Sequence, residues 1–121
     1  FSDRYQFAPY FFAKEAATYL RSADVVVSRS GAHIVYELMT LSKKVVLIPI
    51  SWVSHNEQLL NAKLATSRLT GKVVEEKNLN PDTLVEAIQD ISKSARKINP
   101  DKLETDATSK IFQIIKTYLP A

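Results

Sequence analysis

The residues best suited to chemistry stand where the apolar stretch Asp24-Val25-Val26-Val27 breaks into Ser28-Arg29-Ser30-Gly31-Ala32-His33-Ile34-Val35-Tyr36-Glu37. A buried strand that breaks at Ser-Gly and continues as a helix aims the unpaired backbone N–H groups of the first helical turn beyond the sheet. Phosphate is the usual occupant of such a place. Glu37 follows Ser30 by about two helical turns at ~3.6 residues per turn, so its carboxylate shares a face with the helix mouth and can accept hydrogen bonds from a sugar. An anion site with a carboxylate beside it points to a nucleotide. His33 lies on the same face, as a contact residue and not a base, because no partner carboxylate stands at a fixed spacing from it. Taken singly, Ser30-Gly31 reads equally well as an N-cap and tight turn, and Glu37 as a solvated side chain.

A second group, His55-Asn56-Glu57-Gln58-Leu59-Leu60-Asn61-Ala62, spreads polar side chains across a loop-to-helix junction, with Asn61 three residues past Gln58 on one face. Amides and carboxylates in this arrangement read hydroxyl-rich ligands, although alone they describe an Asn-capped helix facing water. Ligands of open parallel sheets collect beyond the carboxyl ends of the strands. The Ser28–Ala32 turn and the Pro49–Asn56 loop both follow predicted strands, so their residues should face one crevice. Trp52 is then either a loop anchor or a lid.

Other chemistries find little support. Two histidines, no cysteine and no metal-ligand spacing speak against a transition-metal site. The chain lacks an Asp-x-Asp pair, a Gly-x-Ser-x-Gly nucleophile turn, a Walker loop and a Gly-x-Gly-x-x-Gly fingerprint. Nucleotide-sugar recognition is the signal, with no catalytic group visible in the chain and neither metal nor cofactor implied.

The elements that must position these residues alternate. Arg4 to Phe7 reads as a short strand and Phe11 to Leu20 as a helix, followed by a strand at Asp24–Ser28. Ser30 is the expected N-cap of the next helix. That helix puts Ile34, Val35, Leu38 and Leu41 on one face and His33, Tyr36, Glu37 and Thr40 on the other. Lys44 to Ile48 is a strand covered on both faces, ended by Pro49. Further on come a helix at Glu57–Ala65, a strand at Lys72–Glu76 and a helix from Pro81 capped by Asn80 or Asn78. A polar stretch covers Ser92 to Pro100, and an amphipathic segment runs from Thr105 to about Tyr118, within a C-terminal helix region at 105–121. The pattern defines an α/β, Rossmann-like fold with a mostly parallel sheet and helices on both faces.

At 121 residues and 45% hydrophobic content the chain has the size and composition of one domain. It is short for an enzyme holding two substrates, and the opening Phe1-Ser2-Asp3 reads as the start of a fragment. Absence of cysteine fits a reducing compartment, with the cytoplasm as the default. No apolar run approaches the ~20 residues of a membrane-spanning helix. The net charge of +3 does not imply a nucleic-acid partner, because basic and acidic side chains are interleaved in both halves of the chain.

Ala23 to Ala32, Glu37-Leu38, Val46-Leu47-Ile48-Pro49 and Asn56 to Ala62 together resemble the C-terminal domain of the MurG-type transferases, glycosyltransferase family 28 of the GT-B fold. The likeness runs in order over most of residues 5–90. It implies that residues 1–121 are a partial C-terminal domain that binds UDP-N-acetylglucosamine, in an enzyme that transfers the sugar to lipid I in peptidoglycan synthesis. It places Ser30, Gly31 and Ala32 against the donor diphosphate, with His33 and Ile34 lining the same site. Glu37 matches the glutamate that binds the ribose hydroxyls, Glu57 and Gln58 match contacts to the N-acetylglucosamine, and Asn61 belongs to the same motif. The N-terminal acceptor domain, the catalytic base and the uracil contacts are implied to lie outside these residues. The chain alone is therefore expected to be inactive, and the whole protein to sit peripherally on the cytoplasmic face of the inner membrane. Another UDP-sugar GT-B transferase and a non-catalytic nucleotide-binding subunit are the alternatives. A domain cut partway through its sheet would also expose a strand edge suited to homodimerisation.

Overall fold

The computed structural model describes residues 4–52, 54–98 and 107–119. Helix α1 covers Ala13–Ser22, strand β1 Val25–Ser28, helix α2 Ala32–Thr40 and strand β2 Lys44–Leu47. A 3-10 turn at Ser54–Asn56 leads into α3, Glu57–Arg68, and then β3, Gly71–Val73. A second 3-10 turn at Glu76–Asn78 precedes α4, Pro81–Lys93, and α5 covers Ala107–Tyr118. The three strands form one sheet in the order β1-β2-β3, with both pairings parallel.

Strand β2 lies in the middle, and its side chains alternate between two layers of core. Val45 and Leu47, both fully buried, pack with Val35, Leu38 and Met39 of α2 and with Ala62 and Ala65 of α3. Val46 and Ile48 pack on the opposite face with Val74 and with Ala87 and Ile91 of α4. Helices therefore cover both faces of a parallel sheet, as the unbroken aliphatic run Lys44 to Ile48 predicted. Burying each of the Val, Leu, Ile and Met side chains contributes about 1.5–3 kcal/mol before the entropy of ordering is subtracted.

The helix starts are set by local chemistry. Asn80, not Asn78, caps α4: its Oδ1 accepts from the Thr83 N–H at 2.9 Å, while its own N–H donates to the Thr83 hydroxyl at 3.0 Å. Pro81 takes the first helical position, where a missing N–H costs nothing. Helix α1 starts two residues later than expected, with the Phe12 N–H donating to the Glu15 carboxylate at 3.0 Å. Arg4 to Phe7 forms no strand: Tyr5 and Phe7 are exposed, and no described strand lies beside them to complete a ladder. Residues 105, 106, 120 and 121 of the expected C-terminal helix region lie outside the described residues. Within α5 every residue is exposed.

Lys43 is a feature the sequence did not announce. Its side chain is buried where α1 meets the sheet, and Nζ donates to the carbonyls of Arg21 at 2.5 Å and Ala23 at 2.9 Å. Burial pushes its ammonium below the ordinary lysine range; Arg96 adds to that push and Asp24 opposes it. The ammonium thus ties off carbonyls at the end of α1, satisfying acceptors that the helix leaves open.

Candidate functional site

The loops leaving the carboxyl ends of β1 and β2 carry the candidate residues. Gly31, not Ser30, is the N-cap of α2, and no side chain caps the helix. The first intrahelical bond runs from the Val35 N–H to the Gly31 carbonyl at 3.1 Å. The N–H groups of Ala32, His33 and Ile34 precede it and so have no partner within the helix. No acidic side chain stands in that first turn, and the mouth is electropositive through the helix dipole. Gly31 has φ −63° and ψ 153°, values open to any residue, and a Cβ added there would meet nothing within 4 Å. Neither backbone conformation nor close packing demands a glycine here, which leaves only the general preference for glycine over alanine at an N-cap.

Ser30 departs from the expected capping role because its hydroxyl is committed elsewhere. The side chain is fully buried, and Oγ donates to the Gln58 carbonyl at 2.7 Å. Asn61 answers from the next turn of α3, its Nδ2 donating to the Ser30 carbonyl at 3.1 Å. Gln58 also reaches sideways: its Oε1 accepts the Ile50 N–H at 3.0 Å. Buried polar groups tied in this way fix the turn after β1 against the start of α3 and the loop after β2. Asn61 is therefore neither a cap nor a surface amide, and Gln58 has its amide NH2 left for a ligand. Asn56 does not cap α3 through its side chain either; with His55 it adopts a left-handed backbone, φ 55° and 60°. Two such non-glycine residues are costly in most settings. Here they turn the chain so that α3 begins against Ser30.

The other expected residues separate into two groups. Ala32, His33, Glu37 and Glu57 are exposed on their helices. Glu37 also borders a groove of about 360 Å3 between α1 and α2, with Ala13, Ala17, Leu20 and Tyr36 among its walls. Ile34 is different: its side chain is half-buried and packs on the core between α2, α3 and β2, so it is the backbone N–H of Ile34 that remains open within the helix. Trp52 is 80% exposed and therefore anchors no described part of the loop. Among the described residues no group of three or more His, Cys, Asp or Glu could hold a metal ion, and no helix is long and apolar enough to cross a membrane.

Sequence reading missed a polar cluster on the same side of the sheet. Arg29 Nη1 donates to Glu76 at 2.6 Å and to the Ile48 carbonyl at 3.3 Å. The second oxygen of Glu76 accepts from the Ser51 hydroxyl at 3.0 Å and the Ser51 N–H at 3.4 Å. The Arg29 bond first, then those from Ser51, holds the Glu76 carboxyl below its ordinary range. A carboxyl lowered by folding stabilises the fold above its unfolded pKa, and that contribution is lost as pH falls through the folded value. Acid unfolding should therefore begin at higher pH in Glu76→Gln than in the parent, as followed by circular dichroism. Coincident acid profiles would show that the carboxylate adds nothing.

Residues 2–118 match the C-terminal domain of glycosyltransferase family 28, and the chain belongs to that family. Within it, the chain is 37% identical over 108 residues to the UDP-N-acetylglucosamine–N-acetylmuramyl-(pentapeptide) pyrophosphoryl-undecaprenol N-acetylglucosamine transferase of Legionella pneumophila strain Corby, covering 85% of this chain and 30% of the relative. The transferase of the same name from Acetivibrio thermocellus is 37% identical over 114 residues, covering 89% of this chain and 30% of the relative. That of Bacillus cytotoxicus is 35% identical over 103 residues, covering 80% and 28%. The chain spans about 30% of the length of these relatives. The resemblance stated from the motifs is borne out.

Proposed function

We propose that this chain is the donor-binding part of an inverting GT-B glycosyltransferase that adds N-acetylglucosamine to lipid I, forming lipid II in peptidoglycan synthesis. The observation that carries the reading is the mouth of α2, with no side-chain cap: N–H groups without helical partners, no acidic residue in the first turn, and open space beside Gly31. The names of the relatives supply the donor and the lipid-linked acceptor. Residues 1–121 are then a single, partial C-terminal domain.

In this reading the diphosphate of UDP-N-acetylglucosamine lies across Gly31 and Ala32, with backbone N–H groups from Ala32, His33 and Ile34 aimed at its oxygens. Ser30 acts through its buried hydroxyl, holding the turn against α3. As the bond between the sugar and the diphosphate breaks, negative charge grows on UDP, and preoriented N–H groups at a helix mouth stabilise it without reorganising. Glu37 accepts from the ribose hydroxyls. Glu57 and the amide NH2 of Gln58 contact the N-acetylglucosamine, and Asn61 braces the turn. The base that deprotonates the acceptor belongs to the N-terminal acceptor domain of the full-length protein, so this chain alone turns nothing over. The full-length protein works in the cytoplasm, peripheral on the inner membrane, where a lipid-linked acceptor is reached.

Replacing Glu37 by Gln removes a charged acceptor worth about 1.5–3 kcal/mol. The Kd for UDP-N-acetylglucosamine should rise about tenfold or more, and that for UDP should rise with it, since both carry the ribose. Calorimetric titration of the chain measures both. Unchanged affinities would remove Glu37 from the site.

The same reading accounts for the outer edge of β1, which pairs with no described strand while Val27 on it is 40% exposed. An open edge recruits another chain, so the isolated chain should form a homodimer at high concentration. A clean monomer by light scattering at high concentration would contradict this.

A further inference from the structure

Three loops leave the carboxyl ends of the strands, and one side chain touches a part of each. Arg29 belongs to the loop after β1, directly before Ser30. Its Nη1 reaches the Ile48 carbonyl just past β2 at 3.3 Å and the Glu76 carboxylate past β3 at 2.6 Å. Glu76 in turn holds Ser51, further along the loop after β2, through both the hydroxyl and the backbone N–H. We infer that Arg29 is a positioning residue, whose guanidinium with Glu76 clamps the three loops into one rim and so sets the turn at Ser30–Ala32 relative to α3. The inference rests on the donor reading for its consequence, but the clamp itself is a property of the free chain.

An ordinary surface ion pair between Lys or Arg and a carboxylate contributes little. This one differs in what it joins. The Ser30 carbonyl and hydroxyl are fixed on one side by Asn61 and the Gln58 carbonyl, and Ile50 is fixed by the Gln58 amide oxygen. Arg29 and Glu76 close the circuit on the other side, so the β1 and β2 loops are held at both of their flanks. Loop precision of this kind matters to a site made of backbone N–H groups, because those groups cannot adjust independently of the chain that carries them. Both N–H groups of Arg29 Nη1 are engaged by acceptors from the loops after β2 and β3, which ties that end of the guanidinium to the frame.

Amide hydrogen exchange on the ligand-free chain tests the clamp first, comparing the parent with Arg29→Gln and Glu76→Gln. The Val35 N–H, bonded to the Gly31 carbonyl, and the Ile50 N–H, bonded to Gln58, should exchange about threefold faster or more in both variants. The central-strand N–H of Val46 should speed up less than either, only by the factor that the loss of global stability sets. Equal rates throughout, or acceleration that includes Val46 to the same degree, would overturn the inference, the latter marking plain loss of stability. Titration with UDP-N-acetylglucosamine then reads the consequence: the Kd should rise about three- to tenfold in each single variant and no further in the double variant. A loss in Arg29→Gln with no loss in Glu76→Gln would make Arg29 a ligand contact and overturn its positioning role. If the parent does not bind at all, the donor reading fails, and the exchange rates still decide the clamp.

Discussion

Gly31→Ala is expected to leave the fold standing and to weaken donor binding at least tenfold. The residue has an extended backbone that alanine adopts freely, and its Cβ would touch no protein atom within 4 Å. Reduced freedom of the unfolded chain favours the variant by about 0.4–1 kcal/mol. The weaker standing of alanine at an N-cap opposes it by a similar amount, so the melting temperature should hardly move. The methyl enters open space at the N-cap, and in the donor reading that space is taken by the diphosphate bound to the Ala32, His33 and Ile34 N–H groups. A diphosphate oxygen at hydrogen-bond distance from them would meet the methyl, and losing even one charge-assisted bond of about 1.5–3 kcal/mol costs tenfold or more in affinity. Thermal unfolding and calorimetric titration of the same preparation check both halves. Retained affinity would show that the helix mouth is not where the donor binds.

Gly71→Ala should do the reverse. A Cβ at Gly71 would stand 2.6 Å from Val45 Cγ2, 3.0 Å from the Val45 carbonyl and 3.1 Å from Thr66 Cγ2. Val45 is fully buried in the middle strand, and its N–H is bonded to the Thr70 carbonyl at 3.0 Å, so neither backbone nor side chain can retreat without disturbing the β2–β3 ladder. Overpacking of this kind costs about 1–3 kcal/mol. Urea unfolding should show a lower midpoint with an unchanged slope, while molecules that remain folded keep their donor affinity. An unchanged midpoint would mean that β3 can shift away at no cost. One substitution at the chain's two glycines thus separates a residue kept for a ligand from a residue kept for packing.

The parts of the fold legible in the sequence are those where one physical rule dominates. The run Lys44 to Ile48 is apolar on both faces and became the middle strand; Pro81 after Asn80 marked the start of α4. Arg4 to Phe7 had strand-like residues but no neighbour to pair with, and pairing is a long-range property that local composition does not carry. Met39, left off the predicted apolar face of α2, is buried because that face is wide enough to touch both α3 and β2.

The candidate site divides in the same way. The break at Ser30-Gly31 was legible because an apolar strand running into a helix start marks it. What Ser30 and Asn61 do was not, since a short polar side chain beside a helix start suits capping by default. Only the fold brings Gln58 within reach of the Ser30 hydroxyl, across 28 residues of chain. Arg29 and Glu76 are 47 residues apart, and an isolated Arg or Glu carries no sign of a distant partner.

An amide chemical-shift titration of the chain with UDP-N-acetylglucosamine, with UDP-glucose and ATP as controls, tests the central claim most directly. The account predicts saturable shifts at Gly31 to Glu37 and at Glu57 to Asn61, strongest for UDP-N-acetylglucosamine. Shifts absent from both segments at millimolar donor, or equal for ATP, would contradict it.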